Sequence, residues 1–278
     1  MSRITRLISA SPLLWLAGVF VAPLGLVALY SGAHPGFGTV TLGFTLENFH
    51  AAVSGFYLQI FVRTLEFAAL GTALCLVVAL PFAYFLALKV KRYRVLLMVL
   101  MLIPFWTSFL IRTLSWRTLL APNGVVARTL NFLGLHHGQL TVLDTGTAVK
   151  IGIVYGYLPL MTLPLFVAFE RIGPDVREAS KDLGAGRIRT FLRVTLPLAR
   201  PGLTAGLLLT FVPMTGEYVI PALLGGSKGV LLAGVISSEY LDAQNYALGS
   251  AMAILLLGVL GVAVFALTRV SRGFEVAR

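Results

Sequence analysis

The chain has 278 residues, of which 58% are hydrophobic and only 12% charged, with a mean hydropathy of +0.89. A water-soluble domain carries about twice that charged fraction, so the composition excludes an ordinary soluble protein and points to a membrane. The 22 Lys and Arg against 11 Asp and Glu leave a formal charge of +11, and what that excess means depends on where the cations sit.

Apolar runs and their breakers predict six membrane-spanning helices, near 12–32, 62–88, 95–115, 149–170, 201–224 and 247–268. The first follows Arg3 and Arg6 as a signal peptide would. Its apolar run is long for such a segment and no small-x-small cleavage site follows, so it reads as a retained anchor. Residues 1–60 then hold this anchor helix and a first external loop, and residues 61–278 hold the core domain. One set of loops carries Arg3 and Arg6, then Lys89, Lys91, Arg92 and Arg94, then Arg171, Arg177, Lys181, Arg187, Arg189, Arg193 and Arg200, then Arg269, Arg272 and Arg278. The alternate loops, 33–61, 116–148 and 225–246, are longer and weakly charged. The positive-inside rule therefore places both termini in the cytoplasm, and no nucleic acid is needed to explain the basic charge. Cys75, the single cysteine, lies in an apolar run. His34, His50, His136 and His137 lie in predicted loops without metal-ligand spacing, so no metal is assigned.

The longest cytoplasmic loop, 171–200, contains EASKDLGAGRIRTFLRVTLP at 178–197. Gly173 and Pro174 form a helix start. Val176, Ala179, Ser180 and Leu183 then share one helical face, with Asp175, Glu178 and Asp182 on others. Gly184 and Gly186 let the backbone turn. A second helical stretch has Ile188, Phe191, Leu192 and Thr195 on one side and Arg187, Arg189 and Arg193 on another. Leu196-Pro197 and Pro201 break it before the fifth span. The physical pattern is two short amphipathic helices joined by a glycine bend. It suits an interfacial helix pair on anionic headgroups, or docking into a partner's groove.

The stretch resembles the EAA loop of ABC-importer permeases, E-A-A-x3-G-x9-I-x-L-P. The matching residues are Glu178, Ala179, Ser180, Gly184, Val194, Leu196 and Pro197, with Ser180 in place of the second Ala and Val194 in place of Ile. Three further stretches, ALPFAYFLA (79–87), PFWTSFLIRTLSW (104–116) and TGEYVIPALLGG (215–226), resemble the PotB-like permease group of polyamine importers. The resemblance implies an all-α integral membrane protein of six transmembrane helices with type I ABC-importer permease architecture. It also implies a cytoplasmic coupling helix that docks on ATP-binding subunits, carried here by Glu178, Ala179, Ser180, Asp182, Gly184, Gly186, Arg189, Val194, Leu196 and Pro197. The implied setting is the bacterial inner membrane. The implied partners are a second homologous permease subunit, an external solute-binding protein and membrane lipid. The implied solute is a polyamine such as spermidine or putrescine, or another small solute such as an opine or an amino-acid-like compound.

The phosphate-binding pattern G-x4-G-K-[ST] is absent from the chain. No Ser/His/Asp arrangement or paired carboxylate stands out either. The chain is thus expected to be non-catalytic and to bind no cofactor, with ATP and Mg on a separate subunit. Charges inside the membrane are the best pointers to a path, because hydrocarbon penalises them. Glu217 is the clearest, beside Gly216 and between Pro213 and Pro221, where the helix is expected to be irregular. It would meet a cationic amine of the solute, with Tyr218, Phe105, Trp106 and Trp116 adding aromatic faces. The alternatives are an internal ion pair of Glu217, with Arg112 or a neighbouring subunit, and a peripheral position. A secondary transporter complete without ATP would also suit broken helices and a buried acid, but such a carrier has no use for an EAA loop.

Overall fold

The computed structural model describes residues 3–36, 38–41, 43–90, 92–135 and 138–272, with the side chains of 3–11, 13–14, 227–228 and 270–272 excepted. Lys91, His136, His137 and Arg278 lie outside the described residues, as do the side chains of Arg3, Arg6 and Arg272. Among the described residues the chain is helical throughout, with one isolated bridge between His34 and Thr41.

In chain order the helices are α1 (Arg3–Ser31), α2 (Glu47–Ala52), α3 (Gly55–Leu88), α4 (Arg94–Leu102), α5 (Phe109–Leu119), α6 (Val125–Phe132) and α7 (Gly146–Glu170). Then come α8 (Pro174–Asp182), α9 (Arg187–Thr190), α10 (Leu196–Leu198), α11 (Arg200–Thr215), α12 (Val219–Leu224), α13 (Leu232–Leu241) and α14 (Tyr246–Arg272). Among the described residues, three are long and apolar enough to cross a membrane alone: Gly55–Leu88, Gly146–Glu170 and Tyr246–Arg269. They match the predicted second, fourth and sixth spans, extended at their ends.

Two other predicted spans are not single helices. The one at 95–115 is bent by 94° between Trp106 and Phe109. There Pro104 tightens Ile103–Trp106 into a 3-10 turn, and Thr107 and Ser108 are extended (ψ 154° and 133°). The one at 201–224 ends at Thr215, where Pro213, Gly216 and Glu217 interrupt it, and resumes only as α12. Its helical continuation lies instead on the N-terminal side: Arg187–Leu198 and Arg200–Thr215 form a second bent pair, at 69°. Pro197 and Pro201 sit in first turns, where their missing N–H groups do no harm, so they bend this path rather than end it. The loop expected at 225–246 contains α13.

The chain divides into two compact units, Met1–Phe61 with Val235–Gly261, and Val62–Gly234 with Val262–Arg278. In the first, Asn48 is buried and its Nδ2 donates to the carbonyls of Ser31 (3.1 Å) and Ala33 (2.7 Å), tying α2 to the end of α1. Tyr57 donates to Glu239 at 3.0 Å.

The second unit is built around α7, which buries Gly152, Ile153, Gly156, Tyr157, Met161, Leu165 and Phe169. Small residues let its neighbours approach, the usual device where lipid cannot drive association. A Cβ on Gly202 of α11 would clash with the Cβ of Ala168, and one on Gly206 would fall 2.9 Å from the sulfur of Met161. Helix α3 presents a buried stripe of Ala68, Cys75, Ala79, Ala83 and Leu86 to the same core.

Candidate functional site

Helix α8 begins as its residues dictate, with Pro174 in the first turn. It ends at Gly184, whose φ of +79° is a left-handed conformation that only glycine adopts without strain. The amide of Gly184 donates to Lys181 (2.8 Å) and that of Ala185 to Ser180 (3.1 Å), closing the turn. Gly186, extended at ψ 165°, starts α9. The hydroxyls of Ser180 and Thr190 lie 3.1 Å apart and link the two helices. Sequence reasoning missed Thr190, because a threonine ten residues from Ser180 carries no local sign that the two hydroxyls meet across the glycine bend.

The predicted α8 face is a real surface. Val176, Ala179, Ser180, Leu183, Ala185, Arg189, Arg193 and Val194 line one open hollow of about 470 Å³. Leu183 is 89% exposed and Ile188 76%. Glu178, Ala179, Asp182, Gly184, Gly186 and Arg189 are also exposed, whereas Ser180, Val194, Leu196 and Pro197 are half-buried at the base. The side expected to hold Ile188, Phe191, Leu192 and Thr195 together is divided. A π-turn at Phe191–Thr195 turns Thr195 fully inward and sets Phe191 edge-on to Tyr84 of α3 at 5.2 Å, while Ile188 and Leu192 stay exposed. Tyr84 also meets Phe169 of α7 at 5.7 Å, so one ring seats the loop on two core helices. Arg94 and Glu170 form an ion pair at 2.8 Å beside it.

The second region is the break between α11 and α12. Glu217 is 6% exposed. Its Oε2 accepts a hydrogen bond from the hydroxyl of Tyr157 at 2.7 Å, and its Oε1 accepts from the amides of Val219 (2.8 Å) and Ile220 (3.1 Å). An internal ion pair, with Arg112 or a neighbouring subunit, was one expectation for this carboxylate; within this chain its partners are instead the Tyr157 hydroxyl and two backbone amides. Arg112 donates instead to the carbonyl of Pro104 at 3.2 Å and lies 4.4 Å over the ring of Phe105, bracing the bend before α5. Tyr157 escaped the sequence reading because a tyrosine in an apolar helix resembles any other packing aromatic.

The four aromatics expected around Glu217 are dispersed. Phe105 is covered by Arg112, and Trp116 stands edge-on to Tyr155 of α7 at 5.2 Å. Trp106 is 83% exposed and Tyr218 47%. Among the described residues, no hydrogen bond or ring contact joins any of the four to the Glu217 carboxylate.

Comparison with known proteins covers both regions. The family described as binding-protein-dependent transport system inner membrane component matches residues 79–272. The spermidine/putrescine transport system permease protein PotB of Escherichia coli is 36% identical over 233 residues, covering 84% of this chain and 85% of the relative. PotB of Haemophilus influenzae is 36% identical over 82% of this chain and 80% of its own length. The molybdenum transport system permease protein ModB of Azotobacter vinelandii is 31% identical over 66% of this chain and 80% of its own. A solved bacterial ABC transporter involved in the import of the acidic polysaccharide alginate shares the fold, with a TM-score of 0.80 at 17% identity over 97% of this chain and 95% of that one. The inward-facing MetNI methionine ABC transporter has a TM-score of 0.57 at 19% identity over 80% of this chain and 99% of its own. The family match takes in the 178–197 loop, the Glu217 break and the core helices that hold them, and on it the chain belongs to the binding-protein-dependent transport system inner membrane components, the permease subunits of ABC importers.

Proposed function

We propose that this chain is the permease subunit of a polyamine importer, passing a solute such as spermidine or putrescine delivered by an external binding protein. The observation that carries the reading is the 36% identity with PotB along 84% of the chain. In this reading the protein crosses the membrane six times, with α1, the Arg94–Leu119 bent pair and the α11–α12 segment counted as spans and both termini in the cytoplasm. It pairs with a second, homologous permease. The α8–α9 hollow receives an ATP-binding subunit, and its exposed apolar side chains, flanked by Arg189 and Arg193, support docking by a protein groove. ATP and Mg belong to that subunit, since this chain carries no phosphate-binding loop. ATP binding and solute delivery each favour one state of the permease, which is the thermodynamic content of coupling. Trp106 and Tyr218 are the aromatic faces open to a cationic solute, because Phe105 and Trp116 are occupied.

The deciding experiment is solute-stimulated ATPase activity of the reconstituted complex with its binding protein. Stimulation by spermidine or putrescine, and not by opines, amino acids or molybdate, is the expected result. Stimulation by one of the others would keep the importer and replace the solute, a second reading favoured by the likeness to ModB. No stimulation by any of them would overturn the proposal.

A further inference from the structure

We infer that Tyr157 is a positioning residue for transport: through Glu217 it holds the short helix α12 against the glycine face of α7. A carboxylate withdrawn from water is costly unless its oxygens are satisfied. Here they are, by one phenol and two backbone amides. Those amides are the first two of α12, which have no partner inside their own helix. The residue before them, Tyr218, makes no side-chain cap. Glu217 therefore caps α12, and Tyr157 fixes the carboxylate that does so.

The location of α12 gives the cap its consequence. Ile220 and Leu224, four residues apart, seat where α7 has no side chains. A Cβ on Gly152 would fall 2.6 Å from Leu224 Cδ1 and 3.0 Å from Ile220 Cγ2, and one on Gly156 3.4 Å from Ile220 Cδ1. Tyr157 directly follows Gly156, so two successive turns of α7 together receive the helix and anchor its start. Phe109, Arg112, Thr113 and Trp116 of α5 border the same small cavity as Ile220 and Leu224. Helix α5, the second half of the 94° bent pair, and α12 thus meet on α7 where the tie is made. Glu217 presents no free carboxylate to a solute in this state; it affects the solute by placing α12.

The transport part of this inference rests on the importer reading, and the test separates the two. The assembled complex in lipid nanodiscs is examined by hydrogen exchange across 217–220, and in vesicles for spermidine and putrescine uptake. Tyr157→Phe, Glu217→Gln and the double variant are compared. Loss of the tie is expected to speed exchange at Val219 and Ile220 by on the order of five- to tenfold, the worth of a helix cap. Maximal uptake rate should fall several-fold with KM unchanged, and the double variant should be no worse than the poorer single one. Unchanged exchange in both single variants would overturn the inference. A raised KM with preserved maximal rate in Glu217→Gln would do so too, by placing the carboxylate on the solute. If Tyr157→Phe fails to assemble, Glu217→Gln carries the same measurements. Should the unaltered complex import neither polyamine, the importer reading fails, while the exchange result still decides the tie.

Discussion

Gly184 and Glu217 each put one residue's chemistry under strong constraint, for opposite reasons. Gly184 is constrained by its backbone, at φ +79° with its amide bonded to Lys181. Any side chain there is strained by about 1 kcal/mol or more, and proline, with φ fixed near −65° and no N–H, cannot take the position. Gly184→Pro is therefore expected to abolish solute uptake while leaving membrane insertion intact, because α8 lies outside the packed core. Uptake assays beside membrane fractionation check this, and normal uptake would remove the loop from the coupling role. Glu217 is constrained by its side chain, with both oxygens engaged and almost no exposure. The surrounding prolines and Gly216 announce the break that makes room for it.

Among the helices, what could be read in advance follows from how each is interrupted. The long uninterrupted runs of α3, α7 and α14 were legible because hydropathy alone marks them. The start of α8 at Pro174 and its end at Gly184 were legible because proline and glycine have few other uses there. The 94° bend was not, and the break read at Leu196-Pro197 and Pro201 proved to be a 69° bend within a helical path rather than a stop. Pro104 and Pro197 look alike in sequence, yet one precedes two extended residues and a 94° turn while the other sits in a helical path. Which happens depends on tertiary partners, here Arg112 on the carbonyl of Pro104 and Tyr84 against Phe191. The Tyr157–Glu217 tie joins residues 60 apart, and no local pattern encodes such a pairing. The Arg94–Glu170 pair joining α4 and α7 is similarly non-local, but its side chains are 41% and 39% exposed. Water screens it, so Arg94→Ala is expected to cost no more than about 1 kcal/mol. Thermal unfolding of the purified complex measures this, and a much larger loss would mean the pair is shielded by a partner.

At the scale of the molecule, the clustering of cations gives the orientation its test. A reporter fused at residue 92 is expected to report cytoplasm and one at 135 the external side; reversal of both would invert the proposed topology. The path from Arg187 to Thr215 has a mechanical consequence of its own. Its residues are helical or αR at every step, through the π-turn and the 69° bend, whereas α8 hangs between Gly173 and the Gly184–Gly186 turn. The segment is an elbow bent at Ala199: one arm, Arg187–Leu198, carries Phe191 edge-on to Tyr84, and the other, α11, lies along α7 through Gly202 and Gly206. Under the proposed docking, a displacement of α8 passes to the Arg187–Leu198 arm through the Ser180–Thr190 hydrogen bond as well as through the Gly184–Gly186 turn.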